Sequence, residues 1–170
     1  MHRYRTQNAA MATTAATVSV TTGTAIKTML QLSTPATRQL TVISWGFSID
    51  DPPGADAVVE LIQTDVAATV TAHVAAGVQP LDPGAPASLL TLGTANTGYT
   101  ASAEGTPTAT RTFDTVSLSS VSAEAATGML YVYQFMPDER PILPVSKFLR
   151  VRVTTPTTAV DMRCFITHDE

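Results

Sequence analysis

Tyr131-Val-Tyr-Gln-Phe135, Phe148-Leu-Arg-Val-Arg-Val153 and Met162-Arg-Cys-Phe-Ile-Thr167 follow one another in the last third of the chain. Each run is short, rich in aromatic and β-branched residues, and alternates with a period of two, which is strand patterning. Pro137-Asp-Glu-Arg-Pro141 and Thr154-Thr-Pro-Thr-Thr158 separate them and are turn material. Three strands in succession with no amphipathic helix between them are how an all-β sandwich ends.

The same patterning runs backwards through the chain. Ile43, Trp45, Phe47 and Ile49 are expected on one face of a strand over 39–50, opposite Val42, Ser44, Gly46 and Ser48. Asp50-Asp-Pro-Pro-Gly54 stops that strand. Residues 24–32 and 56–63 read as further strands, and 110–118 as another. Alanine makes a helix the competing reading over 55–76, but Val58, Val59, Ile62, Val66, Val70 and Val74 are β-branched and favour strand. Residues 77–109 read as a long irregular portion, because Pro80, Pro83 and Pro86 remove ladder donors. A short helical turn is expected within 119–127. These elements predict one all-β domain over residues 23–170, an antiparallel sandwich of jelly-roll form, with a Greek-key immunoglobulin-like sandwich as the alternative. Residues 1–22 are polar and weakly patterned. They are expected to be an extended N-terminal arm, ordered only against a partner. Met11-Ala-Thr-Thr resembles a translation start as much as Met1 does.

Composition narrows the function. The chain has 170 residues, enough to bury a core without staples. Only 14% of residues are charged, well below the roughly 25% of an average domain. Threonine supplies about one residue in six, so the surface is neutral and hydrogen-bonding, suited to many weak polar contacts with neighbours. A formal net charge of −4 and only two lysines, Lys27 and Lys147, argue against a nucleic-acid partner. No apolar run reaches the length of a membrane span, and no apolar leader opens the chain.

A search for catalytic chemistry turns up isolated groups. The single cysteine, Cys164, alternates with Met162 and Ile166 and reads as a packing residue. His2, His73 and His168 are far apart in sequence and lack the His-x-His pair of a jelly-roll metal site, so His73 reads as a hydrogen-bonded or solvent-facing strand histidine. Asp50/Asp51, Asp138/Glu139 and Asp169/Glu170 are sequence neighbours, which alternation aims apart, so they do not make a facing acid pair. No catalytic, metal or cofactor residue is assigned, and the chain is expected not to be an enzyme. Tyr131, Tyr133 and Phe135 form a stripe that is either core or a sugar-stacking platform, with core preferred. Leu149, Val151 and Val153 are expected inward and Arg150 and Arg152 outward. Partner contacts are expected at Arg3, Tyr4 and Arg5 in the arm, at Tyr99 in the long loop, and at Arg150 and Arg152.

The run of features from Trp45-Gly-Phe through Pro80-Leu-Asp-Pro-Gly, Gly128-Met-Leu-Tyr-Val-Tyr, Glu139-Arg-Pro-Ile142, Phe148-Leu-Arg-Val-Arg-Val and Phe165-Ile-Thr-His-Asp-Glu170 resembles the decoration proteins of tailed bacteriophages, also described as cement or auxiliary head proteins. The resemblance covers residues 24–170 as a pattern of features, without a diagnostic motif. It implies a jelly-roll sandwich that binds the major capsid protein on the outer surface of the virion head as a homo-oligomer, with a trimer favoured. Such a protein is made in the host cytoplasm and carries no cofactor. The readings set against it are a carbohydrate- or receptor-binding module of a phage fibre or cell-surface appendage, and a jelly-roll enzyme.

Overall fold

A computed structural model describes residues 2–10, 16–106, 108–120 and 129–170. Met1, Met11 and most of the segment expected to hold a helical turn lie outside the described residues.

Among the described residues, thirteen strands form two antiparallel sheets packed face to face, so the chain is an all-β antiparallel sandwich. They are β1 (Arg3–Gln7), β2 (Val20–Thr21), β3 (Ile26–Ser33), β4 (Leu40–Ile49), β5 (Ala57–Thr64), β6 (Thr69–Ala72) and β7 (Val78–Pro80). The second half adds β8 (Gly98–Ala103), β9 (Ala109–Leu118), β10 (Met129–Gln134), β11 (Ile142–Leu143), β12 (Phe148–Thr154) and β13 (Asp161–Asp169). The first sheet has the order β10-β4-β13-β1-β7, with β11 also on β4 and β2 also on β13. The second has the order β6-β8-β3-β12-β5-β9. Among these pairs no two strands are consecutive in the chain. The polypeptide instead crosses repeatedly between the sheets, at β3–β4, β4–β5 and β12–β13 among others, as Greek-key sandwiches do.

The core is the space between the sheets. Leu149, Val151 and Val153 of β12 fill it from one side, and Met162, Cys164 and Ile166 of β13 from the other, all buried. Removing such apolar area from water is the main favourable term in folding. The expected parity of β4 holds for Trp45, Phe47 and Ile49, but Leu40 and Val42 are also fully buried. A register shift opposite Thr167/His168 explains this. The extra residue, Ile43, inverts the alternation, so both halves of the strand aim large side chains at the core.

Two expectations about irregular segments are corrected. Arg3–Gln7 is an inner strand, paired to β13 on one side and β7 on the other, and Tyr4 and Thr6 are buried. It is therefore part of the sandwich within its own chain, and so is β2. The deciding pattern is the two-residue alternation of Tyr4 and Thr6 against Arg3, Arg5 and Gln7, which is easily overlooked beside the Ala/Thr-rich residues that follow. Within residues 77–109, β7, β8 and the first residue of β9 are strand, and among the described residues 81–97, 104–106 and 108 lie outside the strands. Pro80 is accommodated because β7 is an edge strand.

Candidate partner-binding surface

The outer face of the first sheet presents neighbouring apolar groups to solvent. On β10, Leu130 and Val132 point away from the core and are 74% and 56% exposed; Met136, just beyond the strand, is 65% exposed. Next to β10, β4 offers Ser44, Gly46 and Ser48, so the middle of the face is nearly flat. On β13, the half-buried Phe165 lies over Gly46. A Cβ at position 46 would come within 2.9 Å of its ring and 2.6 Å of the Tyr131 carbonyl oxygen. Glycine is required here by close approach rather than by backbone angle. The Arg5 guanidinium sits 4.5 Å from the centre of the Phe165 ring, a cation–π contact, while its Nε donates to Thr167 Oγ1 at 3.2 Å. Between Arg5, Ser48, Leu130, Arg163 and Phe165 lies a shallow depression of about 190 Å³.

The inner side of β10 is fastened to the opposite sheet. Trp45 Nε1 and the Tyr131 hydroxyl both donate to Asp114 Oδ2, at 3.0 and 2.7 Å. Asp114 belongs to β9, so one carboxylate joins the edge strands of both sheets. Trp45, Phe47 and Tyr131 pack against one another with ring centroids 5.5 to 5.8 Å apart. Burial, reinforced by the hydrogen bond to Asp114 and its charge, pushes the Tyr131 phenol up to about 12. Phe135 is buried as expected of core, but Tyr131 is half-buried and Tyr133 is 39% exposed, edge-on to Phe135. The stripe is thus neither wholly core nor a flat sugar-stacking platform.

The residues expected to touch partners fare differently from one another. Arg3 is exposed but paired within the chain: its Nη2 lies 2.5 Å from Asp82 Oδ1. Tyr4 is buried, donates to the Pro86 carbonyl at 3.0 Å, and stacks on His168 at 5.7 Å. Tyr99 lies in β8, half-buried against the His73 ring at 4.8 Å. Arg150 and Arg152 do leave the core face of β12, yet both are buried. Arg150 donates to the Val66 carbonyl and lies 3.5 Å from Glu104 Oε2, and Arg152 Nη2 donates to Glu60 Oε2 at 2.9 Å. The connection after β5 and the end of β8 roof this part of the second sheet, and strand parity cannot reveal a roof. Only Arg5 reaches the candidate face. Leu130, Val132, Gly46 and Phe165 are not among the residues expected to touch partners; the sequence sign of the first two is their apolar character on the strand face opposite Tyr131, and Gly46 and Phe165 join them only through strand pairing.

Two histidine sites serve the fold. His73 is buried, and its Nε2 lies 2.7 Å from the Gln7 carbonyl oxygen, which can only accept, so Nε2 carries the proton. Burial holds its pKa below the usual value. At the chain end, Glu170 accepts from Ser88 Oγ (2.5 Å), the Leu89 amide (2.7 Å) and His168 Nε2 (3.2 Å). Burial alone would raise the Glu170 pKa, but these bonds outweigh it and lower it. The carboxylate stands between hydroxyl and imidazole, whereas nucleophile activation places the imidazole next to the serine. The arrangement clasps residues 88–89 to β13. Among the described residues, no group of three His, Cys, Asp or Glu side chains is placed to hold a metal ion, and no helix is long and apolar enough to cross a membrane.

Compared with known proteins, the chain matches no family model, no curated sequence and no solved structure.

Proposed function

We propose that this chain is a structural protein of a particle surface, a decoration protein of a tailed-bacteriophage head that binds the major capsid protein as an oligomer and reinforces the shell. The observation that carries the reading is the outer face of the first sheet, where Leu130 and Val132 stand exposed beside the flat Ser44-Gly46-Ser48 row and Phe165. Isolated exposed apolar side chains are ordinary, but a contiguous row on one sheet face marks a contact surface. The low charge and abundant threonine suit the same role, since reinforcement needs only complementary surface repeated over many copies. The trimer and the virion location rest on the resemblance of residues 24–170 to such proteins.

The test is protein chemistry on particles. Virions purified from cells that express the chain should contain it in fixed proportion to the shell protein. Leu130→Asp, which alters an exposed side chain, should reduce that proportion at least tenfold without changing the melting temperature. Absence of the chain from purified particles would overturn the proposal.

A further inference from the structure

The four edges of the sandwich are not equally guarded. Natural sheets protect their edges by shortness, proline, charge or bulges. β7 has three residues and ends in Pro80. β6 has four, and its pairing with β8 is irregular twice. β9 has ten, but it carries Arg111 and Asp114, and its register with β5 also slips twice. β10 has none of these devices: Met129-Leu-Tyr-Val-Tyr-Gln134 is uncharged, free of proline and regular in register over its whole length.

Its backbone is half used. The Phe135 amide donates to the Ile43 carbonyl at 2.9 Å, in the same register that pairs Tyr133 with Trp45 and Tyr131 with Phe47. Antiparallel ladders alternate, so the odd-numbered residues bond to β4 and the N–H and C=O groups of Leu130, Val132 and Gln134 point away from it. Among the described residues no strand pairs with that side.

We infer that β10 pairs antiparallel with β10 of a second copy of this chain, joining the two first sheets across a two-fold axis. The choice of occupant follows from chemistry. An uncharged strand placed against itself meets no like charge. Pairing centred on Val132 sets Leu130 opposite Gln134 of the other copy and engages every outward backbone group, making about six hydrogen bonds. It also brings the exposed Leu130 and Val132 side chains of the two copies together, burying apolar surface that each monomer leaves in water. A two-fold contact of this kind is self-complementary by construction. A six-residue edge buries less than the roughly 1,200 Å² at which standard stable interfaces begin, so the dimer dissociates on dilution. The inference concerns the isolated protein: it sets a dimer in place of the trimer that the resemblance implies and places Leu130 and Val132 against a second copy, so its failure is read from the solution mass and the failure of the proposed function from the content of purified particles.

Light-scattering mass on the purified full chain, from about 5 to 500 µM, should show a monomer–dimer equilibrium. Val132→Lys changes only an exposed side chain and should shift the midpoint at least tenfold towards monomer, with an unchanged melting temperature. As a second variant, Val132→Cys should form a disulfide-linked dimer under mild oxidation, because facing Cα atoms of a bonded antiparallel pair lie about 5.5 Å apart. Thr115→Cys on the exposed side of β9 should not, and the native Cys164 is buried. A monomer throughout, a trimer, a dimer unaffected by Val132→Lys, or equal cross-linking of both cysteine variants overturns the inference.

Discussion

The indole Nε1 of Trp45 donates to the carboxylate of Asp114 at 3.0 Å, across the gap between the two sheets. Trp45 is fully buried in the first sheet, and Asp114 lies on the edge strand of the second. A carboxylate at the border of an aromatic core, which also accepts from the Thr115 amide at 2.8 Å, is retained because Trp45 and Tyr131 would otherwise be left without a partner. Asp114→Ala should therefore destabilise the fold by about 1–3 kcal/mol in urea unfolding. Asp114→Asn, which keeps an acceptor oxygen, should cost less.

Tyr131 gives a signature of the same contact. Its folded pKa is raised from 10 to about 12, so between those values the folded chain retains a proton that the unfolded chain has lost. The stabilisation is complete below about pH 10 and disappears as the pH rises towards 12. Ultraviolet titration should show one tyrosine ionising late. In Asp114→Asn that transition should move down.

His73 works in the opposite pH range. Its folded pKa is depressed below 6.5 by burial, so below that pH the unfolded chain binds the extra proton. Stability should be fully present above about pH 6.5 and fall on acidification. His73→Gln should flatten this dependence in urea midpoints measured from pH 7.5 to 5. An identical slope in the variant would remove His73 as its cause.

Tyr4 tests whether the N-terminal strand is integral. It is buried against His168 and Pro86, so Tyr4→Ala should cost about 3–5 kcal/mol, as truncation of a core aromatic does. Deleting residues 2–8 should abolish the cooperative thermal transition, because β13 and β7 would lose the strand between them. An unchanged transition would restore the reading of a free arm.

Gly46 is a steric test. Gly46→Ala places a methyl group 2.6 Å from the Tyr131 carbonyl oxygen and 2.9 Å from the Phe165 ring. Overpacking of this kind costs about 1–3 kcal/mol, read as a lowered melting temperature. Phe165→Ala should recover part of the loss by vacating the space over position 46.

Local pattern determined the class of this protein. Alternation in Trp45, Phe47 and Ile49, in Leu149, Val151 and Val153, and in Met162, Cys164 and Ile166 assigns strands and their core faces, because one face of each strand is buried and the period is two. The same local reading misplaced whatever depended on distant chain. Arg150 alternates outward as expected, but only tertiary structure brings Val66 and Glu104 over it and turns an expected surface charge into a buried one. Tyr4 reads as tail until β13, more than 150 residues later, supplies the strand against which it packs. With no two consecutive strands paired, register, roofs and free edges are all decided by long-range contacts, which local alternation does not encode. For that reason the sequence alone determined a sandwich, and only the fold decided that its exposed apolar row and unguarded edge both lie at β10.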